Sequence, residues 1–235
     1  MNAVLSAIKM LILGVWSLIT AILGMIAVLF TFKHRSAIWV AQQIWAPVII
    51  AVFGVRIKVK GSENVKPGQP YLIMANHSSF IDIPVLFRAI KLPHYYIAKK
   101  ELKKIPFLGW YVSAAGMIWI DRSNRIKATE SLMKAAALVK GGRNLVIFPE
   151  GTATRTGEMG EFKKGGFHLA FNSGATILPV RIRGTRKIWP RGNMFNLSGG
   201  TAEVIIGKGI DASQYAGRAV DELSTEVRQL IVDMT

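Results

Sequence analysis

The segment that decides the fold is YLIMANHSSFID, residues 71–82. Residues 71–75 form an apolar run of strand length, and the residues from 80 onward have the apolar spacing of a helix. The polar residues between them therefore form a turn from a buried strand into a helix. On one regular helix His77 and Asp82 would lie about 140° apart, because each residue turns about 100°. The two side chains meet only if His77 stands on the turn and Asp82 lies in the first helical turn, where this sequence puts them.

Outside this segment, short apolar or alternating runs take turns with segments of helical spacing over residues 56–235. The predicted strands cover 56–60, 71–75, 95–98, 117–121, 144–148, 176–183 and 201–207. The predicted helices cover 80–90, 107–115, 125–139, 165–172 and 216–233. Alternating strands and helices predict an α/β domain with a mainly parallel or mixed sheet flanked by helices.

Two uncharged apolar stretches precede this domain. The first, residues 10–32, is longer than the roughly 20 residues that a helix needs to span the hydrocarbon core. The second, residues 36–55, is interrupted by two glutamines and a proline. The pattern predicts an N-terminal two-helix hydrophobic membrane hairpin over residues 1–55, followed by the α/β domain over residues 56–235.

The charges that flank the hairpin leave its depth in the membrane open. Basic residues precede it at Lys9, lie in its connector at Lys33 and Arg35, and follow it at Arg56 and Lys58. No side is poorer in positive charge, as a spanning hairpin would require. A hairpin that dips into one leaflet keeps all three clusters at one interface, where they meet anionic headgroups. We favour this second arrangement over a spanning one.

The composition combines strong positive charge with an apolar chain. The sequence has 30 Lys and Arg against 14 Asp and Glu, a formal net charge of +16, yet it is 51% hydrophobic and 19% charged. Soluble domains carry roughly 25% charged residues, so a membrane-associated domain is indicated. The absence of cysteine excludes disulfide scaffolds and thiolate nucleophiles.

Lysines at 99, 100, 103 and 104, near several aromatic residues, suit either anionic lipid or nucleic acid. The hairpin favours lipid, and we expect no nucleic acid partner.

Chemistry alone allows two interpretations of His77 and Asp82, one catalytic and one structural. A carboxylate that accepts a hydrogen bond from one imidazole nitrogen fixes the tautomer and leaves the other nitrogen to take a proton from a hydroxyl. Alternatively, Ser79 caps the helix and Asp82 supports the cap from the third helical position. The two readings are compatible.

Two further polar groups follow apolar strands. Glu150 and Gly151 come after the run 144–148, and Arg122 ends the run 117–121. Ligands of open α/β sheets bind at the carboxyl ends of strands, and arginine suits phosphate. Taken singly, an exposed turn and a solvated or paired arginine explain these residues better. The sequence has no P-loop, dinucleotide-binding, serine-hydrolase or zincin motif, and we predict no metal or cofactor.

Four short motifs in order resemble the glycerolipid acyltransferase family. The family pattern Asn-His-x-x-x-x-Asp is matched by Asn76, His77 and Asp82, and Phe-Pro-Glu-Gly-Thr stands at 148–152. The segment GMIWIDR at 116–122 resembles the second family motif, with Trp119 where phenylalanine is usual, and LPV at 178–180 resembles the fourth. The similarity covers roughly residues 56–210 and favours a functional reading of Glu150 and Arg122.

The resemblance implies a membrane acyltransferase. The expected reaction moves a fatty acyl group from acyl-CoA or acyl-acyl carrier protein to the sn-2 hydroxyl of lysophosphatidic acid, forming phosphatidic acid. His77 would act as general base oriented by Asp82, and Arg122 would bind the acceptor phosphate. The other expected substrate-binding residues are Asn76, Lys100, Glu150, Gly151, Thr152 and Arg155. The expected location is the cytoplasmic side of a bacterial inner membrane, with anionic lipid as a further partner.

One departure from the family pattern bears on the acceptor. Many members continue the third motif with arginine and serine, whereas this chain has Ala153, and its next arginine is Arg155. Arg155 or Lys163 could replace the missing charge. Otherwise the acceptor is another lysolipid, such as lyso-ornithine lipid or a lysophospholipid. A non-enzymatic basic protein that binds membrane or nucleic acid is the alternative of a different class.

Overall fold

The computed structural model describes residues 3–154, 156–192, 197–215 and 220–235. Within them the helices are α1 Ala3–Thr31, α2 His34–Val40, α3 Ala46–Val52, α4 Asp82–Ala89, α5 Leu108–Ala114, α6 Arg125–Lys140, α7 Gly165–Ser173, α8 Thr185–Ile188 and α9 Val220–Asp233. The strands are β1 Val55–Lys60, β2 Tyr71–Ala75, β3 His94–Lys99, β4 Ile118–Ile120, β5 Asn144–Ile147, β6 Thr176–Arg183, β7 Gly200–Ile206 and β8 Ile210–Asp211. Short 3-10 turns lie at Ser62–Asn64, Lys100–Lys104 and Ala212–Tyr215.

The strands of the described residues form one mixed sheet of order β1-β7-β6-β2-β5-β3-β4, with β8 on β6. The pairs are parallel except where β7 and β8 meet β6. The central strand β2 is buried along its whole length, as its unbroken apolar sequence predicts for a strand covered on both faces. The predicted α/β class, with a sheet flanked by helices and two apolar N-terminal helices, is confirmed.

This topology gathers the carboxyl ends of several strands at one edge. Strands β2, β3, β4, β5 and β6 run parallel to their neighbours within this group. The turns that follow β2, β4 and β5 carry His77, Arg122 and Glu150. Residues far apart in sequence therefore meet above the centre of the sheet, the usual place for a ligand in an open α/β fold.

The first helix of the N-terminal hairpin extends beyond the uncharged stretch 10–32, and the second is less regular than the sequence predicts. The first helix begins at Ala3, not at residue 10, and includes Lys9, whose Nζ reaches the carbonyl of Leu197. The second begins at His34 and contains a π-helical turn at Ala41–Trp45, between α2 and α3. By length and composition, helices 4–31 and 34–52 could each cross a membrane.

Other bounds shift by a few residues. Helix α4 begins at Asp82, two residues later than predicted, because residues 78 and 79 give their N–H groups to the Asp82 carboxylate. Helix α8 and strand β8 are additions to the prediction. The predicted helix 216–233 is observed as α9, and its first four residues lie outside the described residues.

Candidate active site

His77 and Asp82 form a direct pair at the start of α4. The imidazole Nδ1 lies 2.8 Å from Asp82 Oδ2. The same carboxylate oxygen accepts the backbone N–H groups of Ser78 at 2.8 Å and Ser79 at 2.9 Å. Asp82 is fully buried, so three donors fix an anionic group that has no solvent contact of its own.

This contact determines how the imidazole can act. Because Nδ1 faces a carboxylate, it carries the hydrogen, and Nε2 is left as the basic atom. The His77 ring also stacks on Phe148, with centroids 4.0 Å apart and planes inclined by 15°. Because the His77 ring is held by Asp82 at one edge and by Phe148 on one face, it has little freedom to rotate. The orientation of Nε2 is therefore fixed.

Glu150 holds the backbone of this turn. Its Oε1 accepts the N–H of His77 at 2.8 Å, and its Oε2 accepts the N–H of Gly160 at 3.0 Å. The residue is 8% exposed. Burial raises the pKa of Glu150 above its ordinary value, although the two backbone N–H groups act in the opposite direction. Glu150 therefore joins the turn after β2 to the loop after β5.

Asn76 and the two serines fasten the turn to the sheet and to α8. The Asn76 side chain exchanges two hydrogen bonds with the backbone of Ile182 in β6, at 2.9 and 2.7 Å. Ser78 Oγ lies 3.1 Å from Thr185 Oγ1, and Ser79 Oγ donates to the carbonyl of Trp189 at 2.7 Å. Both the nitrogen and the oxygen of the Asn76 side-chain amide are therefore hydrogen-bonded to backbone.

A cavity of about 1210 Å³ opens beside His77. Its wall is largely apolar and combines the hairpin with the α/β domain. Residues of α1 and the π-helical turn form part of it, including Ser17, Ala21 and Trp45, and Phe80 and Phe148 form another part. The Trp45 indole donates to Ser17 Oγ at 2.9 Å, which joins the two hairpin helices at this wall. An apolar cavity with a few polar groups at one place is typical of a ligand site.

The basic residues predicted for the site divide between the cavity and its surroundings. Arg122 lines the cavity, and its Nη1 donates to the carbonyl of Gly151. Partial desolvation lowers the pKa of Arg122. Lys100 instead pairs with Asp121 at 3.0 Å. The Ser123 hydroxyl and this lysine lower the pKa of Asp121 to about 2.

The third motif contributes backbone and small side chains to the cavity. Gly151, Thr152 and Ala153 line it, and Gly151 has a φ of +78°, which only glycine adopts without strain. Arg155 lies outside the described residues. Lys163 and Arg191 also line the cavity. Arg191 was not predicted from the sequence as a site residue. In the sequence it is one of several arginines after β6, and the glycine that follows it belongs to no recognised motif.

The described residues contain no group of three or more histidine, aspartate or glutamate side chains that could hold a metal ion. The site therefore combines an imidazole, a buried carboxylate and several cationic side chains beside an apolar cavity.

Comparison with known proteins identifies the family. A family model described as acyltransferase matches residues 56–183. The chain belongs to this acyltransferase family, and the resemblance found in the sequence is confirmed.

The relatives include three enzymes that share one name, 1-acyl-sn-glycerol-3-phosphate acyltransferase. The protein of Saccharomyces cerevisiae is 37% identical over 205 residues, covering 86% of this chain and 67% of the relative. The chloroplastic protein of Arabidopsis thaliana is 33% identical and covers 81% of this chain and 52% of the relative. The protein of Pseudomonas aeruginosa is 33% identical and covers 83% and 75%. The chain thus spans two thirds of the yeast relative and about half of the chloroplastic one.

A solved structure shares the fold. The crystal structure of the 1-acyl-sn-glycerophosphate (LPA) acyltransferase PlsC from Thermotoga maritima matches with a TM-score of 0.84 at 24% sequence identity. The match covers 98% of this chain and 92% of that chain.

Proposed function

We propose that this chain is a membrane-bound 1-acyl-sn-glycerol-3-phosphate acyltransferase. It moves a fatty acyl group from acyl-CoA or acyl-acyl carrier protein to the sn-2 hydroxyl of lysophosphatidic acid and forms phosphatidic acid. The observation that carries the proposal is the 2.8 Å contact between His77 and Asp82 at the wall of an apolar cavity. The shared name of the relatives supports the same reaction.

In the proposed mechanism His77 is the general base. Its Nε2 takes the proton of the acceptor hydroxyl while the hydroxyl oxygen attacks the carbonyl carbon of the thioester. The carbon–sulfur bond then breaks, and the proton on His77 passes to the departing thiolate. Asp82 stabilises the imidazolium that forms between these steps. Nucleophile and leaving group are both supplied by substrates, so the chain needs no nucleophile of its own.

We propose that the acyl chain of the donor occupies the apolar cavity. His77 lines this cavity, so an acyl chain inside it would present its thioester carbonyl near the base. Ala21 faces the cavity from α1, whereas Leu23 on the same helix is 42% exposed and is not part of its wall. Ala21→Phe should lower turnover of long-chain donors more than that of short-chain donors. Leu23→Phe is the matched control and should keep the chain-length profile; an unchanged profile in Ala21→Phe would contradict this use of the cavity.

The membrane side of the proposal rests on the hairpin. One face of α1 exposes apolar residues along the helix, including Leu11 at 67% and Leu29 at 66%. Both ends of the hairpin contact the α/β domain: Lys9 reaches Leu197, and His34 Nδ1 lies 2.7 Å from the carbonyl of Ala114. A connector that folds back onto the catalytic domain favours a hairpin within one leaflet. Residues 1–55 would then form the membrane unit of the protein, and the lysines near residue 100 would meet anionic lipid.

The topology can be measured because the natural sequence has no cysteine. Ser36→Cys places a thiol at the connector, and Ser213→Cys places one on the exposed surface of the α/β domain. A membrane-impermeant thiol reagent should reach both from the same side. Labelling of Ser36→Cys only from the opposite side would contradict the single-leaflet hairpin. Because acyl-CoA and acyl carrier protein are cytoplasmic, we place that side in the cytoplasm, at a bacterial inner membrane.

The reaction is tested by an acceptor and donor panel on the purified chain in lipid vesicles. Lysophosphatidic acid, lyso-ornithine lipid and lysophosphatidylethanolamine are each offered with acyl-CoA and with acyl-acyl carrier protein. We expect lysophosphatidic acid to be the best acceptor. Ala153 is the observation that favours another lysolipid as a second candidate. Equal or faster turnover of the phosphate-free lyso-ornithine lipid would select that candidate, and the absence of acyl transfer to any acceptor would contradict the enzyme.

A further inference from the structure

Three cationic side chains surround the turn formed by residues 151–153. Arg122 Nη1 donates to the carbonyl of Gly151, and Arg191 Nη1 donates to the carbonyl of Ala153. Lys163 Nζ lies 2.9 Å from the point where a Cβ on Gly151 would stand. All three residues line the cavity that also contains His77. Side chains from three separate parts of the chain therefore bring positive charge to one turn beside the base.

Arg191 is held there by the catalytic turn itself. The preceding residue, Pro190, forms an antiparallel bridge with Ser79. The Trp189 carbonyl accepts the Ser79 hydroxyl at 2.7 Å, and the Trp189 ring lies 5.2 Å from that of Phe80. The backbone that carries Arg191 thus contacts the same turn that carries His77.

Within the described residues no carboxylate is in ion-pair contact with the three charges, although Glu101 acts on Arg122 from beyond that distance and raises its pKa against the larger effect of desolvation. The carboxylate of Glu150 is occupied by two backbone N–H groups. Each guanidinium has five N–H donors, so those beyond the carbonyl bond can bind a ligand. A phosphate, with its several acceptor oxygens and negative charge, fits such a cluster.

We infer that Arg191 determines acceptor specificity by binding the phosphate of lysophosphatidic acid together with Arg122 and Lys163. The inference rests on the proposed function and deepens it. Arg191 supplies the cation that the family pattern has at position 153, where this chain has alanine. Its guanidinium reaches the carbonyl of Ala153 from a distant part of the sequence. The departure at Ala153 is therefore compatible with a phosphate-bearing acceptor.

The test compares two acceptors that differ in the phosphate alone, lysophosphatidic acid and 1-monoacylglycerol. Arg191→Ala should raise KM for lysophosphatidic acid about 10- to 100-fold, the range expected for one lost hydrogen bond to a charged group. KM for acyl-CoA and kcat/KM for monoacylglycerol should change by less than about twofold. Arg191→Lys, which keeps the charge without the fork, should fall between wild type and Arg191→Ala. Lys208→Ala removes one charge at the opposite edge of the sheet, as a matched control, and should behave as wild type.

A second measurement does not depend on acyl transfer to monoacylglycerol. Glycerol 3-phosphate should compete with lysophosphatidic acid on the wild-type enzyme, and Arg191→Ala should weaken this inhibition about tenfold. An unchanged KM and unchanged inhibition in Arg191→Ala would overturn the inference. Equal losses on both acceptors would also overturn it, because they would mark Arg191 as a structural contact of Ala153. Failure of the wild-type chain to acylate lysophosphatidic acid would instead overturn the proposed function.

Discussion

The His77 imidazole and the Asp82 carboxylate are joined by a 2.8 Å contact that crosses from the turn after β2 into the first residue of α4. The carboxylate also accepts the N–H groups of Ser78 and Ser79. The predicted Ser79 cap with Asp82 at the third helical position is not observed, because Ile81 is the N-cap residue of α4 and Asp82 is its first residue. Asp82 instead has two structural roles through one oxygen atom, which holds both the backbone of the turn and the imidazole of His77.

Asp82→Asn should weaken both of these roles. The amide can keep the size of the side chain, but its oxygen cannot hold three donors as an anion does. We expect kcat to fall about 100-fold or more, with KM for acceptor and donor within about threefold, because general base catalysis contributes on the order of 10² to 10⁴. Steady-state kinetics on folded protein measure both values. A kcat within threefold of wild type would contradict the role of Asp82.

Glu150→Gln tests the hydrogen bonds by which Glu150 joins the turn after β2 to the loop after β5. Glutamine has one carbonyl oxygen, so one of the N–H groups of His77 and Gly160 would lose its acceptor. We expect the variant to lose about 1–3 kcal/mol of unfolding free energy and to lower kcat about tenfold, since the turn that carries the base is less fixed. Glu158→Gln, an exposed residue of the same loop, is the control. A change confined to acceptor KM would indicate instead that Glu150 contacts substrate.

His94 gives the protein an acid-sensitive core. Burial lowers the pKa of His94 to about 4, whereas an unfolded histidine has a pKa near 6.5. Between these values the unfolded chain binds a proton that the folded chain refuses, so stability falls as pH decreases from 6.5 to 4. The effect at full protonation is on the order of 3 kcal/mol. The melting temperature as a function of pH should therefore drop more steeply for the wild type than for His94→Gln; parallel curves would contradict this assignment.

The parts of the fold that local pattern determines were predictable. Strand β2 and the helix after it follow from an apolar run, a polar turn and a helical spacing within residues 71–82. Asp82 and His77 are five residues apart, so their contact is a local property of this turn. The fold class followed from the alternation of such segments.

The parts that long-range contacts determine were not predictable. Glu150 meets the backbone of His77 across 73 residues, and Arg191 meets Ala153 across 38. Nothing in a single sequence distinguishes Arg191 from the other arginines after β6, because its place depends on the pairing of Pro190 with Ser79. The π-helical turn of the hairpin likewise has no periodic signature in an apolar stretch.

The most direct test of the proposed mechanism is the rate at which purified His77→Ala in vesicles converts lysophosphatidic acid and acyl-CoA to phosphatidic acid. His168→Ala is the matched control, because His168 is an exposed histidine on α7. We predict a loss of at least about 100-fold in His77→Ala and wild-type turnover in His168→Ala. Undiminished turnover in correctly folded His77→Ala would contradict the assignment of His77 as the catalytic base.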